Sequence, residues 1–363
     1  MSIGPSSSRP RNTRIRRRAV TNEQTTITLA HGAGGGAMHS LIDELFLSAF
    51  GDGPLLQKED QARLPLAEFL AQGDRLALTT DSFVVSPLEF PGGDIGKLAV
   101  CGTLNDLAVG GAIPLYLTAA FIIEEGLPLA LLERLVGSMA EAAREAGVTI
   151  VTGDTKVVER GMADKLFINT TGVGVIPAGL ALAIGSARPG DKVLVNGHVG
   201  DHGAAVMLAR EDLGLVGELA SDCASLHSLL QPVLAQCPGV RCLRDATRGG
   251  LGGVMSEIAA ASAVEIRLIE RALPFRPQTL ALCELLGLEP LFLANEGLAA
   301  MVICSEQAEQ ALALLRGHPL GRDACIIGEV TGPSSPGRLS LLTPYGGERL
   351  LEVPHGLQLP RIC

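Results

Sequence analysis

Glycine runs mark the joints of this sequence. Each stands between an apolar, strand-like stretch and a segment with helical spacing. His31-Gly-Ala-Gly-Gly-Gly36 follows residues 25–30, which read as a strand. It leads into Met38, Leu41, Ile42, Leu45 and Phe46, an apolar helical stripe. Gly92-Gly93-Asp94-Ile95-Gly96-Lys97 precedes a helix expected from about Lys97 to Val109, and Thr247-Arg248-Gly249-Gly250 follows a strand at 240–243 and opens another helix. Backbone that turns sharply or approaches a ligand closely favours residues without a Cβ. Glycine is 44 of 363 residues, about 12% against a usual ~7%. No Gly-x-y period exists, so a collagen-like chain is excluded.

Strands interleave with helices in two successive stretches. In the first, 76–79, 148–151 and 166–170 read as strands. Pro128 and Gly147 bracket a helix with Leu132, Leu135, Val136 and Met139 on one face. A turn cluster at Ala187-Arg188-Pro189-Gly190-Asp191 separates it from the second, with strands at 193–195, 240–243, 264–268, 298–304, 326–330 and 338–342 and a helix at 307–315. The fold class expected is α/β (α+β), with two mixed domains at 23–187 and 188–342. A basic extension (1–22) precedes them, and a flexible tail (343–363) with Pro344, Pro354 and Pro360 follows.

Net charge is −10, which disfavours nucleic acid as a partner, although residues 1–20 hold six arginines and no acid. Two Tyr, nine Phe and no Trp are too few for the core to spare an aromatic platform for bases or sugars. The uncharged stretch 166–187 contains Asn169, Thr170, Thr171, four glycines and Pro177, so it reads as strand and turn, with no membrane span expected. Eight cysteines without a CxxC pair, and no secretory signal, read as reduced thiols in a cytoplasmic protein.

Asp81, Asp154 and Asp245 are expected where strands or turns end, and Asp106 within a helix. Singly, each reads as a cap or turn residue. Together, beside glycine turns, they fit a site for Mg²⁺ and a nucleotide, where phosphate oxygens complete the metal shell. Gly34 and Gly35 are candidate nucleotide contacts, although the loop departs from GxGxxG at Ala37; the run ending at Lys97 is not a P-loop. Arg248 and the helix start at Gly249-Gly250 suit phosphate. Glu296 lies in the apolar stretch LFLANEGLAAMVIC, and Lys156 follows Asp154 by two residues. The two could move protons or form a structural ion pair. His198 and His202 have helical metal spacing, but Gly200 and Gly203 argue against a helix, so His202 is assigned to a Gly-Asp-His-Gly turn. Cys363 puts a thiol at the end of an arm, either as a carrier or incidentally.

These motifs resemble the HypE family of hydrogenase maturation proteins, of the aminoimidazole ribonucleotide synthetase and selenophosphate synthetase group. The resemblance covers about Ile27 to Cys363 through AHGAGGGAMHSLI, EDQARL, TTDSF, FPGGDIGKLAVCGTLNDLAVGGAIP, VTGDTKVVERG, KLFINT, GDHGA, LRDATRGG, ANEG, HPLG and LPRIC. It implies an ATP-dependent carbamoyl dehydratase. The carbamoyltransferase HypF would load Cys363, the S-carboxamide would be dehydrated to S-thiocyanate, and the HypC–HypD complex would receive the cyanide for the iron of [NiFe] hydrogenase. It also implies a homodimer joined through the N-terminal sheets. Asp81, Asp106, Asp154 and Asp245 match the family's nucleotide and metal positions. Asn105, Lys97, Thr247, Arg248, Gly249 and Gly250 match its phosphate region, and Lys156 and Glu296 its proton-transfer residues. A selenophosphate synthetase-like enzyme and a non-catalytic iron–thiol scaffold are the alternatives; Cys363 speaks against the first and ATP turnover would exclude the second.

Overall fold

A computed structural model describes residues 25–363 apart from 52, 211–217, 355, 357, 358 and 360. The arginine-rich extension at 1–22 lies outside the described residues.

The N-terminal region begins with α1 (Gly36–Leu41), which continues through a π turn (Ile42–Phe46) into α2 (Leu47–Phe50), followed by α3 (Leu66–Leu70). Strand β1 (Arg75–Phe83) leads through the two-residue ladder β2 (Glu89–Phe90) and β3 (Gly93–Asp94) into α4 (Ile95–Val109). Then come β4 (Ile113–Glu124), α5 (Leu129–Glu145), β5 (Thr149–Val158) and β6 (Leu166–Ile176). The sheet order is β1-β6-β4-β5, with β4 and β5 parallel and the other neighbours antiparallel.

Helix α5 buries the stripe Leu132, Leu135, Val136 and Met139 that its spacing announced. Helix α4 differs: 13 of its 15 residues are buried. Asp94 caps it, its carboxylate accepting from Gly96 N (2.7 Å) and Lys97 N (3.0 Å). Ala108 and Val109 of α4 pack into the C-terminal region, so this helix is a wall shared by both halves.

Two expectations are corrected here. Residues 25–30 do not form a strand: Thr26 makes an isolated bridge to Pro128, and Leu29–Gly32 is a 3-10 turn. The cause is local, since Thr28 N donates to His31 Nδ1 (3.0 Å) and draws the chain round. Asp154 does not end a strand. Parallel pairing with β4 continues through Ala120↔Asp154 to Glu124↔Val158, so β5 runs past Gly153.

The C-terminal region contains β7 (Lys192–Val195), α6 (Asp201–Leu208), α7 (His227–Gln236), β8 (Val240–Asp245), α8 (Gly250–Ser262), β9 (Val264–Ile269) and α9 (Pro277–Leu286). It continues with β10 (Ala299–Ile303), α10 (Ser305–Arg316), β11 (Cys325–Pro333), β12 (Arg338–Leu342) and β13 (Glu348–Leu350). These strands form one seven-stranded sheet in the order β13-β12-β9-β11-β7-β10-β8. The expected Gly-Asp-His-Gly turn is instead the first turn of α6. Gly200, at φ +83°, stands before it and donates its N–H to Asn295 Oδ1 (2.8 Å).

After β13 the chain returns to the junction between the halves. Residues 361–363 lie beside residues 84–86, just beyond β1, and Ile362 is buried in the N-terminal core. No helix of the described residues is long and apolar enough to cross a membrane.

Candidate active site

Three strand ends and one helix converge at the junction. Asp81 is near the end of β1, on the side facing α4, where Thr79 donates to Asp106 Oδ2 (2.6 Å). Asp245 closes β8 and is buried. Glu296, in the segment entering β10, is also buried, and its Oε1 has no hydrogen-bond partner among the described residues.

Burial first, and crowding of like charge second, set the electrostatics. Burial pushes the Asp81 carboxyl up, Asp106 adds to this, and Arg248 opposes it. Burial, then Asp106 and Asp81, raise Asp245 to about 7. Burial raises Glu296 furthest, well above the usual carboxylate range, helped by Asp245, Asp222 and Asp81.

A cleft of about 750 Å³ opens on this cluster, with Thr79, Asp106 and Asp245 at one end and Leu76, Leu78 and Leu182 along it. Among the described residues, no three His, Cys, Asp or Glu side chains form a closed metal shell. One or two carboxylates completed by phosphate oxygens are what Mg²⁺ ordinarily takes, and these under-compensated carboxyls suit such a cation.

Cys363 is seated beside Arg248. Its carbonyl accepts from Val84 N (3.2 Å), and that of Ile362 accepts from His202 Nε2 (2.9 Å). The Arg361 carbonyl accepts from Ser86 N (3.3 Å) and Arg210 Nη2 (3.0 Å). The Arg361 side chain donates to Val84 O (3.1 Å) and pairs with Asp164. Burial, then the charge of Glu296, raise the thiol to about 11, while Arg248 reaches it and lowers it. A cavity of about 370 Å³ adjoins the sulfur, lined by Arg248, Phe292, Pro354 and Leu359.

Arg248 is held by a strained approach. Gly249 and Gly250 have φ of +82° and +60°, and a Cβ on Gly250 would lie 2.4 Å from Leu293 O. Only glycine can turn the chain from Thr247 into α8 against that backbone. The sequence-expected set Asp81, Asp106, Asp245, Thr247, Arg248, Gly249, Gly250, Glu296 and Cys363 therefore meets at one junction.

The remaining candidates do not join it within one chain. Lys97 sits at the opposite end of α4 from Asp106, donating to Gly92 O (3.1 Å). Nine residues of helix separate the two, about 13 Å along the axis. Asn105 is buried and committed to the backbone: it donates to Ala224 O (3.0 Å) and Glu296 O (3.1 Å), and accepts from Leu226 N (2.8 Å). It ties the halves together. Asp154 and Lys156 form an ion pair (2.6 Å) on exposed β5, with side-chain exposures of 57% and 64%. The bond to Lys156 holds the Asp154 carboxyl below its usual range. Strand β5 is three strand spacings from β1, about 14 Å. Gly34 and Gly35 are exposed in the loop over the same edge, where a Cβ on neighbouring Gly32 would lie 2.9 Å from Val157 Cβ. Lys156 and Glu296 thus make no pair in the chain.

Sequence reasoning missed four residues. Asp222, raised to about 6 chiefly by burial, accepts from Asn295 Nδ2 (2.7 Å), Glu296 N (3.0 Å) and Gly297 N (3.1 Å), and so holds the Glu296 segment. Asp164 and Arg361 clasp the arm, and His202 lies beneath it. Two of them carried a signal, Arg361 by its place in LPRIC and His202 by its place in GDHGA.

Two α/β halves sharing a buried helix, with acids crowded at their junction, define a class, and the chain's matches fall in it. Residues 58–176 match the AIR synthase related protein, N-terminal domain, and residues 188–338 the AIR synthase related protein, C-terminal domain. Carbamoyl dehydratase HypE of Escherichia coli (strain K12) is 55% identical over 337 residues, 93% of this chain and 99% of that protein. The crystal structure of E. coli HypE superimposes with a TM-score of 0.86, covering 90% of this chain and 100% of that one. A hydrogenase maturation protein HypE solved in complex with ATP gives a TM-score of 0.88 at 45% identity, covering 93% and 100%; a HypE–HypF complex gives 0.74 at 48%, covering 87% and 100%. The chain belongs to the HypE family and is a carbamoyl dehydratase of hydrogenase maturation.

Proposed function

We propose that the chain dehydrates an S-carbamoyl group carried on its own Cys363 to S-thiocyanate at the expense of ATP, supplying the cyanide ligands of the [NiFe] hydrogenase iron. The observation that carries this reading is the Cys363 thiol within reach of Arg248 and under the charge of both Glu296 and Asp81, the latter a member of the acid cluster. An amide oxygen leaves poorly. Transfer of the ATP γ-phosphoryl group to it, with loss of a nitrogen proton, creates a leaving group, and expulsion of phosphate with the second nitrogen proton forms the C≡N bond. One carbamoyl group and one ATP yield one nitrile, ADP and phosphate.

The cleft would take ATP with its phosphates toward Asp81, Asp106 and Asp245, which would hold Mg²⁺. When bound, the metal would neutralise phosphate charge. Arg248, which lines the cavity beside the sulfur and acts on the Asp81 carboxyl, balances negative charge at the acceptor oxygen. Glu296, the strongest of the charges acting on the thiol, is a strong base once ionised and takes the nitrogen protons. Closure of the arm over the site keeps water from the activated carbamoyl group.

Asp154, Lys156, Gly34 and Gly35 would serve the cleft of a second copy in a homodimer. The outward face of the N-terminal sheet supports this: Leu76, Leu78 and Ile122 are 57%, 69% and 43% exposed, and Asp154 and Lys156 share that face in register with Ala120 and Ile122. HypF would load the thiol, and HypC–HypD would accept the cyanide.

Intact-mass spectrometry with HypF, carbamoyl phosphate and ATP tests the reaction. The adduct on Cys363 should lose one water only when ATP is added. An adduct that persists with ATP would refute the reading.

A further inference from the structure

The Gly-Asp-His-Gly segment has no part in the chemistry above, yet its histidine is among the most enclosed groups in the molecule. His202 has no exposed surface. Its Nε2 lies 2.9 Å from the Ile362 carbonyl, across 160 positions of sequence, and its Nδ1 lies 2.8 Å from Ser221 Oγ. A carbonyl only accepts, so Nε2 carries the proton; Nδ1 then accepts from the Ser221 hydroxyl. The ring stands edge-on to Phe90 at 5.4 Å. Its own element is anchored independently, with Asp201 bonded to Thr279 (2.8 Å) and Arg276 (2.6 Å). A rigid helix start thus presents one N–H to the residue immediately before Cys363.

We propose that His202 is the positioning residue of the dehydration step: oriented by Ser221 at Nδ1, it donates from Nε2 to the Ile362 carbonyl, and so sets how far the carrier cysteine enters the site. This rests on the reading that Cys363 carries the carbamoyl group. Burial supports it by holding the ring down at about 4, so the ring stays neutral, with its tautomer set by the Ile362 carbonyl and its orientation by Ser221. The other main-chain bonds hold the carbonyls of Arg361 and Cys363, and core packing holds the Ile362 side chain. His202 makes the bond to the carbonyl between them, and a misplacement of about 1 Å at a reacting centre is enough to cost a large factor in rate.

Glutamine can put its amide nitrogen near the position of Nε2, whereas asparagine reaches only to the position of Nδ1. H202N should therefore lose the bond to Ile362, and H202Q should keep it. Two readouts apply. Alkylation of Cys363 by iodoacetamide, followed at its own peptide, reports seating without any turnover. Single-turnover loss of water from carbamoylated protein reports the chemistry. Loss of one such bond is worth about tenfold. H202N should alkylate about tenfold faster and dehydrate about tenfold slower, with HypF loading unchanged, and H202Q should restore both. S221A, which leaves the core histidine in place, should raise alkylation about threefold by removing the bond that orients its ring.

H202N with wild-type alkylation overturns the proposal. So does H202Q as defective as H202N with an equal drop in melting temperature, which would mark a packing role. If H202N does not fold, S221A decides alone, and wild-type alkylation in it refutes the inference. Wild-type protein that loads but never dehydrates would refute the proposed function and leave the alkylation test standing.

Discussion

The two edges of the N-terminal sheet carry acids of opposite character. At the β1 edge, Asp81 faces inward toward Asp106 and Asp245, and the group is short of counter-charge. At the β5 edge, Asp154 faces outward and is already neutralised by Lys156. One set is poised for a cation and costs the free protein stability. The other is satisfied, solvated and costs almost nothing. Strained acids mark where the ligand binds within one chain; relaxed ones are what a surface offers to a second chain.

The largest expected effect falls on the strained edge. Asp245→Asn should lower dehydration by at least about a hundredfold, yet raise the melting temperature of the nucleotide-free protein by several degrees, because it removes a buried charge from a like-charged cluster. The pH dependence has a definite sign. Asp245 ionises near its usual carboxylate value when unfolded and at about 7 when folded. Between those limits the unfolded chain binds fewer protons, so stability falls as pH rises from about 4 to about 7. Asp245→Asn should flatten that slope in thermal melts. An unchanged slope would mean the cluster is not strained.

Next comes complementation. Lys156→Ala and Asp245→Asn should each be nearly inactive alone. Mixed at equal amounts after subunit exchange, they should regain about a quarter of wild-type activity, since half the dimers are mixed and one of their two sites is intact. No recovery would mean Lys156 serves its own chain. Leu78→Asp, on the outward face, should shift the protein to the monomer in size-exclusion chromatography and abolish activity with it. A dimer that survives this change would place the contact elsewhere. The smallest effect is on stability at the relaxed edge: Asp154→Asn should change unfolding free energy by less than about 0.5 kcal/mol, as exposed ion pairs do.

What the sequence disclosed followed from local rules. Helix α5 came from its apolar stripe, and the turn from β8 through Thr247-Arg248-Gly249-Gly250 into α8 from residue type. The spacing within α4 places Lys97 and Asp106 at opposite ends of one helix. The misses were long-range. Strand β5 passes Gly153 because β4 pairs with it, and no local pattern carries that. His202 meets Ile362 only because the arm returns to the junction, and Asp222 meets the Asn295-Glu296-Gly297 segment only because the C-terminal half folds back on itself. Asn105 looked like a ligand because a buried amide and a binding amide are the same residue in a string of letters.

The grip on residues 361–363 is made largely through main-chain atoms: the carbonyls of Arg361, Ile362 and Cys363 are held, while the sulfur itself is bonded by little beyond Arg248. Such a holder reads the address and ignores the parcel. A bare thiol, a carbamoyl thioester and a thiocyanate would all be seated alike, so the direction of the cycle cannot come from the fit of the arm. It has to come from what is delivered on either side of it, the carbamoyl group before and the nucleotide after.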